Sequence, residues 1–254
     1  MWTIRLDKYL SSLWLVSRRN IKKFIKTKSI LLNWEYVNKS DIKVNIWDKI
    51  LFRDLKWNIY NFEVLKNFVV LLHKPAWYVS SDIDEGKYFS YKKLLQDCPY
   101  KKVLKVAWRL DVDTEGLLVL SDNGNFIHKL ISPKKKVEKI YYVETLEKIS
   151  KSDIEIFQKW INIWDCVCMP ANVYNFEKLK EVIGDLETLW QIPINLLKWN
   201  DKLIIWIYEW KYHQIKRMFQ KLWNKVLYLK RLKVWKFELG DLKKWEWKIV
   251  KNFD

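Results

Sequence analysis

The sequence predicts an α+β protein: a mixed, mainly antiparallel sheet flanked by helices, preceded by a small N-terminal unit. Three observations predict it. From about residue 67, strand-like and helix-like segments alternate irregularly, so the regular crossover helices of a doubly wound parallel sheet are missing. Residues 1–60 hold two short helical patterns followed by short strand-like pieces. The chain has 254 residues, half of them hydrophobic, enough to bury a core in one large or two modest domains.

In the first unit, "TIRLDKYLSSL" sets Ile4, Leu6, Tyr9, Leu10 and Leu13 near helical spacing. "VSRRNIKKFIKTKSI" continues as a second helix, with Ser17 the expected N-cap and Arg18, Arg19, Lys22, Lys23 and Lys26 a basic face. "ILLN", "EYVN", "IKVN" and "DKILF" read as short strands. "LNWEYV" has the form of an Asn-Gly hairpin with Trp34 in the glycine place. "RDLKWNIYNFEVLKN" reads as a linker to the second unit, residues 67–254. There "FVVLLHKP", "GLLVLS", "EKIYYVETLE", "DKLIIWIYE" and "VLYLKRLKV" read as strands. "SYKKLLQDC", "NGNFIHKLIS", "KSDIEIFQKWINI" and the basic amphipathic "YHQIKRMFQKL" read as helices.

Charge narrows the function. The net charge is +17, which asks for an anionic partner: RNA, DNA or an acidic membrane surface. No apolar run reaches the roughly 18 residues of a membrane span, and "MWTIRLDKYL" lacks the apolar core of a signal peptide. Residues 1–60 carry 13 Lys and Arg against 5 Asp and Glu, a net +8 in a quarter of the chain. Such a run is often a solvated helix face. Its clustering on one helix of a compact unit favours an RNA-backbone footprint. Three cysteines, Cys98, Cys166 and Cys168, fit a reducing cytoplasm. Cys166-Val-Cys168 has no histidine near it in sequence, so no metal is expected.

Three segments carry candidate chemistry: Arg109-Leu110-Asp111, Lys139-Ile140-Tyr141-Tyr142, and "KYHQIKRMF" at 211–219. Each has a plain structural explanation alone. Asp111 and Asp113 suit a turn beside a strand, Tyr141 suits a core, and the helix suits a solvated surface. Asp111 and Asp113 share a side if extended, so a two-carboxylate glycosidase is an open alternative.

Together and in this order, the segments resemble the bacterial ribosomal pseudouridine synthases that modify a single uridine, typified by RsuA and RluB. "RLDVDTEGLLVLSDNG" is similar to that family's active-site signature, "LHKPAWYVSS" to its lysine-proline strand, "SPKKKVEKIYYVE" to its tyrosine strand and "YHQIKRMF" to its last basic motif. The first 50 residues or so resemble the S4 RNA-binding domain. "YEWKYHQIKRMFQKLWN" and "MPANV" look most like the small-subunit (16S) branch. The resemblance implies conversion of one ribosomal uridine to pseudouridine by a cytoplasmic monomer. Ribosomal RNA, or an assembling subunit, would be its partner, and neither cofactor nor metal is needed. The large subunit, or a non-catalytic S4-type RNA-binding role, stays open.

The resemblance also implies roles. Asp111 matches the catalytic aspartate, Tyr141 the tyrosine that lies against the target base, and Lys216 the cation beside the aspartate. Arg109 flanks the site, to hold phosphate or fill the gap left by the extruded base. Lys74, His213 and Arg217 join it as RNA-contacting residues, with Arg18, Arg19, Lys22 and Lys23 in the front unit; Lys74 and Pro75 also match the supporting strand. The reaction breaks the N1–C1′ bond, turns the base and rejoins it through C5. It needs an ionised carboxylate, as nucleophile or as stabiliser of a sugar cation, a cation to keep it charged, and an aromatic face for a base taken out of its stack.

One count is odd. There are 17 Trp and 5 Gly, where average usage of about 7% predicts roughly 18 glycines. Trp77, Trp108 and Trp210 stand where the resembled family has glycine, and Trp34, Trp47, Trp223 and Trp245 sit at turn-like sites. The pattern fits a gene whose UGA codons are read as glycine. It predicts tryptophans that are exposed or at φ > 0, and a Trp108 that crowds Asp111.

Overall fold

The structure, a computed structural model, describes residues 2–177, 179 and 201–251. In the first unit, β1 (Thr3–Arg5) leads into α1 (Leu6–Ser12), and α2 (Ile21–Lys26) follows. β2 (Ile30–Leu32), β3 (Glu35–Tyr36), β5 (Lys49–Arg53) and β6 (Ile59–Glu63) form an antiparallel sheet in the order β3-β2-β5-β6. β4 (Lys43–Asn45) pairs with β1. α1 buries Leu6, Tyr9 and Leu10, and α2 buries Ile21 and Phe24. That burial leaves Arg18, Arg19, Lys22, Lys23 and Lys26 exposed on the far side.

Two expectations change here. Ser17 does not cap α2; its carbonyl closes a turn by accepting from Asn20 N, and the helix starts after Asn20. The supposed linker contains β6, which pairs with β5 along its whole length and crosses residue 60. Tyr60 stacks on Phe52 and Phe62 turns into the core, an alternation too short to stand out in sequence. Tyr9 Oη accepts from Leu65 N at 2.8 Å, and Tyr100 Oη donates to Glu63 O at 2.6 Å, so hydroxyls join the two units.

The second unit is built on nine strands. These are β7 (Val69–Lys74), β10 (Lys105–Ala107), β11 (Glu115–Ser121), β12 (Lys139–Thr145), β15 (Asn172–Asn175), β16 (Asp201–Ile207), β17 (Val226–Val234), β18 (Phe237–Glu238) and β19 (Trp247–Val250). The path runs β15-β16-β12-β17-β11-β7-β19, with β10 on β11 and β18 on β17; two small pairs lie off it, β8 (Tyr78–Val79) with β9 (Phe89–Ser90) and β13 (Ile161–Asn162) with β14 (Val167–Cys168). All pairs in this sheet are antiparallel except β11 with β17, as a mixed, mainly antiparallel sheet predicts. β7, β11 and β12 are buried along their whole lengths. Helices α3 (Gly124–Ile131), α4 (Lys151–Phe157) and α5 (Gln214–Lys221) flank it. "SYKKLLQDC" forms a 3₁₀ helix over Tyr91–Leu95 instead of an α-helix. α4 stops at Phe157, and its expected continuation becomes the strand Ile161–Asn162, paired with Val167–Cys168.

The tryptophans behave as glycines would. Trp190 and Trp199 lie outside the described residues. Ten of the other fifteen, Trp14, Trp34, Trp47, Trp57, Trp77, Trp108, Trp164, Trp223, Trp235 and Trp245, have positive φ, against only five other non-glycine residues. Asn33 (φ 49°) and Trp34 (φ 73°) form the two-residue loop between β2 and β3, with the sign pattern of a type I′ turn. Trp223 is 96% exposed. A side chain in the left-handed region costs roughly 1–2 kcal/mol. Ten such residues would cost about 10–20 kcal/mol, as much as or more than a typical folding stability of about 5–15 kcal/mol.

Candidate active site

Residues 108–114 connect β10 to β11, and the surrounding elements hold this turn from every side. Ser80 Oγ donates to Leu110 O at 2.8 Å and accepts from Leu110 N at 3.0 Å. Trp77 N donates to Val112 O at 2.6 Å. Lys74, wholly buried, donates its Nζ to Pro75 O, to Tyr78 O at 2.7 Å and to Val112 O at 3.4 Å. Arg231, also wholly buried, donates to Trp108 O at 2.6 Å and Arg109 O at 3.4 Å. The turn closes with Thr114 N on Asp111 O. Asp111 and Asp113 are therefore in a turn and not along an extended strand. A carboxylate on such a support keeps its position.

α5 supplies the cation. Ile215, Met218 and Phe219 pack inward, which turns Lys216 toward the β10–β11 turn. Lys216 Nζ lies 3.1 Å from Asp111 Oδ2 and 2.5 Å from Asp113 Oδ1. The start of α5 is set by Gln214, whose Oε1 accepts from Lys211 N at 3.0 Å and whose Nε2 donates to Glu209 at 3.1 Å. His213 at φ 49° opens the helix, and its Nε2 stands 3.7 Å from Asp111 Oδ1. Tyr141 lies on β12 directly across from Arg231 on β17. Burial pushes the Tyr141 phenol up, while Arg231 pulls the other way. A small cavity of about 30 Å³ opens between Arg109, Asp111, Tyr141, Trp210, His213 and Lys216.

A carboxylate, a paired ammonium and a buried aromatic ring thus meet at one opening. A sequence profile of the RNA pseudouridylate synthase family matches residues 68–221, more than half of the chain and all of these groups. The chain belongs to the RNA pseudouridylate synthase family. It is 30% identical over 233 residues to the ribosomal small subunit pseudouridine synthase A of Haemophilus influenzae, covering 91% of this chain and 88% of that one. It is 31% identical over 240 residues to the protein of the same name from Pasteurella multocida, covering 94% and 91%. A crystal structure of a pseudouridylate synthase superposes with TM-score 0.58 at 27% identity, covering 98% of this chain and 96% of that one.

In this synthase the structure brings together Asp111, Tyr141, Lys216, His213 and Arg109. Arg109 is exposed and pairs loosely with Glu85 at 3.6 Å. Two sequence-predicted RNA contacts are corrected. Lys74 cannot reach RNA, because it is buried against three carbonyls; burial and then repulsion from Arg231 bring it down to about 7. It serves only as the support. Arg217 points away from the opening, bound to Asp165 and to Ile163 O. Trp108 does not crowd Asp111 either. Its indole packs beside Leu117 and Leu130, donates to Leu130 O at 3.0 Å and lies 4.0 Å beneath Lys139 Nζ. Trp210 is the tryptophan that narrows the opening.

In the first unit Arg18 pairs with Asp7 at 3.4 Å. The cysteines are free, and no group of His, Cys, Asp or Glu among the described residues could hold a metal. No helix among those residues is long and apolar enough to cross a membrane. Sequence reasoning missed Ser80, Gln214 and Arg231. A lone serine carries no signal, but the Gln in "KYHQ" and the Arg in "LKRLKV" stand inside segments with a readable pattern of their own.

Proposed function

We propose that this RNA pseudouridine synthase converts one uridine of small-subunit ribosomal RNA to pseudouridine, with Asp111 as the catalytic carboxylate. The observation that carries the reading is the contact of Lys216 with Asp111 at the mouth of the Tyr141 pocket. Lys216 sets a positive charge against Asp111 and fixes the carboxylate in place. Tyr141 receives the face of the extruded uracil. The N1–C1′ bond breaks against Asp111, as nucleophile or as counter-charge to the sugar cation. The base turns, C5 bonds to C1′, and the C5 proton leaves while N1 regains one, so composition is unchanged. Arg109, exposed beside the opening, contacts the RNA backbone or the vacated stack. His213 orders the rim.

The small-subunit assignment draws support from relatives named for that subunit, which match along nearly the whole chain. The first unit is proposed to act as an S4-like RNA-binding domain that grips phosphate through Arg18, Arg19, Lys22 and Lys23. Its two helices, four-stranded sheet and exposed basic face support that role. Asp111→Asn keeps shape and removes charge. It should bind small-subunit RNA with native affinity and form no pseudouridine. Turnover near the native rate in Asp111→Asn would reject the assignment.

A further inference from the structure

We propose that Arg231 is a positioning residue for the reaction, locking the Asp111 turn to β11 beside the strand that carries Tyr141. This rests on the reading of Asp111 and Tyr141 given above. One guanidinium spans three structures. Its Nε donates to Leu117 O of β11 at 2.8 Å, its Nη2 to Trp108 O at 2.6 Å and its Nη1 to Arg109 O at 3.4 Å. Its third neighbour is Tyr141 of β12. Arg231 and Tyr141 face each other across β12 and β17, beside a register shift between Ile140 and Tyr141.

Two backbone features make this geometry possible. Residue 108 sits at φ 62°, which turns its carbonyl onto the guanidinium together with that of Arg109. Gly116 lies against the Arg231 backbone so closely that a Cβ there would be 2.3 Å from Arg231 O. Arginine suits the task because its planar fork reaches several acceptors in fixed directions, which a lysine point charge cannot do. Arg231 is buried and touches neither the opening nor solvent. Its effect must pass through Asp111 and Tyr141.

The test is Arg231→Lys, assayed by tritium release from 5-tritiated uridine in small-subunit RNA, with Asp111→Asn in parallel. The proposal expects a folded protein, an unchanged Kd for RNA and a kcat about 100-fold lower, the loss expected of a slight misplacement. The limbs of the pH–rate profile should stay in place while the plateau drops. A native kcat in folded Arg231→Lys overturns the proposal, as does a loss confined to Kd or KM. If Arg231→Lys does not fold, Arg231→Gln keeps a neutral amide donor toward the same carbonyls. A kcat several-fold lower then supports the link, and a native kcat overturns it. An active Asp111→Asn removes the carboxylate reading and this proposal together. An inactive Asp111→Asn with a fully active Arg231→Lys removes this proposal alone.

A different observation carries a second inference. From the ten tryptophans at positive φ, we infer that the natural chain carries glycine at these positions, encoded by UGA read as glycine. Three of the four described glycines share that backbone region. Trp206 adds to the case: its Nε1 is buried with no hydrogen-bond partner, an arrangement native indoles avoid. Base stacking on RNA does not account for the pattern. The exposed rings are scattered, from Trp14 and Trp57 in the first unit to Trp164 and Trp223 in the second. Codons at the 17 sites and the intact mass of the protein from its own cells decide it. UGA codons and a mass lower by the tryptophan-to-glycine differences are expected. UGG codons, or a mass matching the 31.2 kDa chain, overturn the inference.

Discussion

Lys216 holds Asp111 at 3.1 Å from a different element, 105 residues along the chain. The proposed catalysis depends on that contact, so its removal should be visible in two ways. Lys216→Met should lower kcat by about 100-fold, within the range for a positioned charged group. The loss should also fall on kcat and leave the Kd for RNA unchanged, because Lys216 acts on the carboxylate. An unchanged rate, or a loss confined to Kd, would show that Lys216 does not act through Asp111.

The first unit should set the salt dependence of RNA binding. Replacing Arg18, Arg19, Lys22 and Lys23 with Ala leaves the core intact, since all four are exposed. For every duplex phosphate that the variant no longer neutralises, the slope of log K against log salt should become shallower by about 0.9. Filter binding at several salt concentrations measures it. A slope equal to that of the unaltered protein would show that this face does not touch the RNA backbone.

A buried charge cluster behind the active site should govern acid stability. Burial raises the Glu115 carboxyl, but His73, Lys244 and Lys230 outweigh it and hold the group at about 2. Lys230, buried beside Glu115, is brought down to about 8 by its burial. The carboxylate gains from several cations while burial dominates for the lysine, so the two shifts are consistent. A folded value below the unfolded one means that Glu115 stabilises the fold above about pH 4.5. That contribution, on the order of 3 kcal/mol, is lost as pH falls toward 2. Glu115→Gln should be less stable near neutral pH and lose less between pH 5 and 2, as urea melts would report. Parallel pH curves for the two proteins would refute the account.

Trp34→Gly should stabilise the tryptophan-containing chain by about 1 kcal/mol, the cost of a side chain in the left-handed region. Thermal melts of the single variant check it. A drop in stability would mean that the indole at the β2–β3 turn contributes more than the backbone strain removes.

Much of the fold can be read from the sequence. β7, β11 and β12 appear as long apolar or alternating runs, and Asp111, Tyr141 and Lys216 stand in long motifs whose chemistry limits the residue types. β6 cannot be read, because only Tyr60 and Phe62 mark its inward face. The support role of Lys74 is hidden because sequence does not show that both faces of β7 are covered. Trp108 escapes sequence reasoning because a positive φ at that residue sends the indole toward Leu130 and away from Asp111. Arg231 acts on Leu117 across 114 residues, and Ser80 on Leu110 across 30, so neither shows as a local pattern.

The most direct test is base-resolution mapping of pseudouridine in ribosomal RNA from cells lacking this protein, complemented with the native gene or with Asp111→Asn. The account predicts that one small-subunit position loses pseudouridine in the deletion, regains it with the native gene and stays uridine with Asp111→Asn. Full modification of that position with Asp111→Asn, or a ribosomal map unchanged by the deletion, would contradict it.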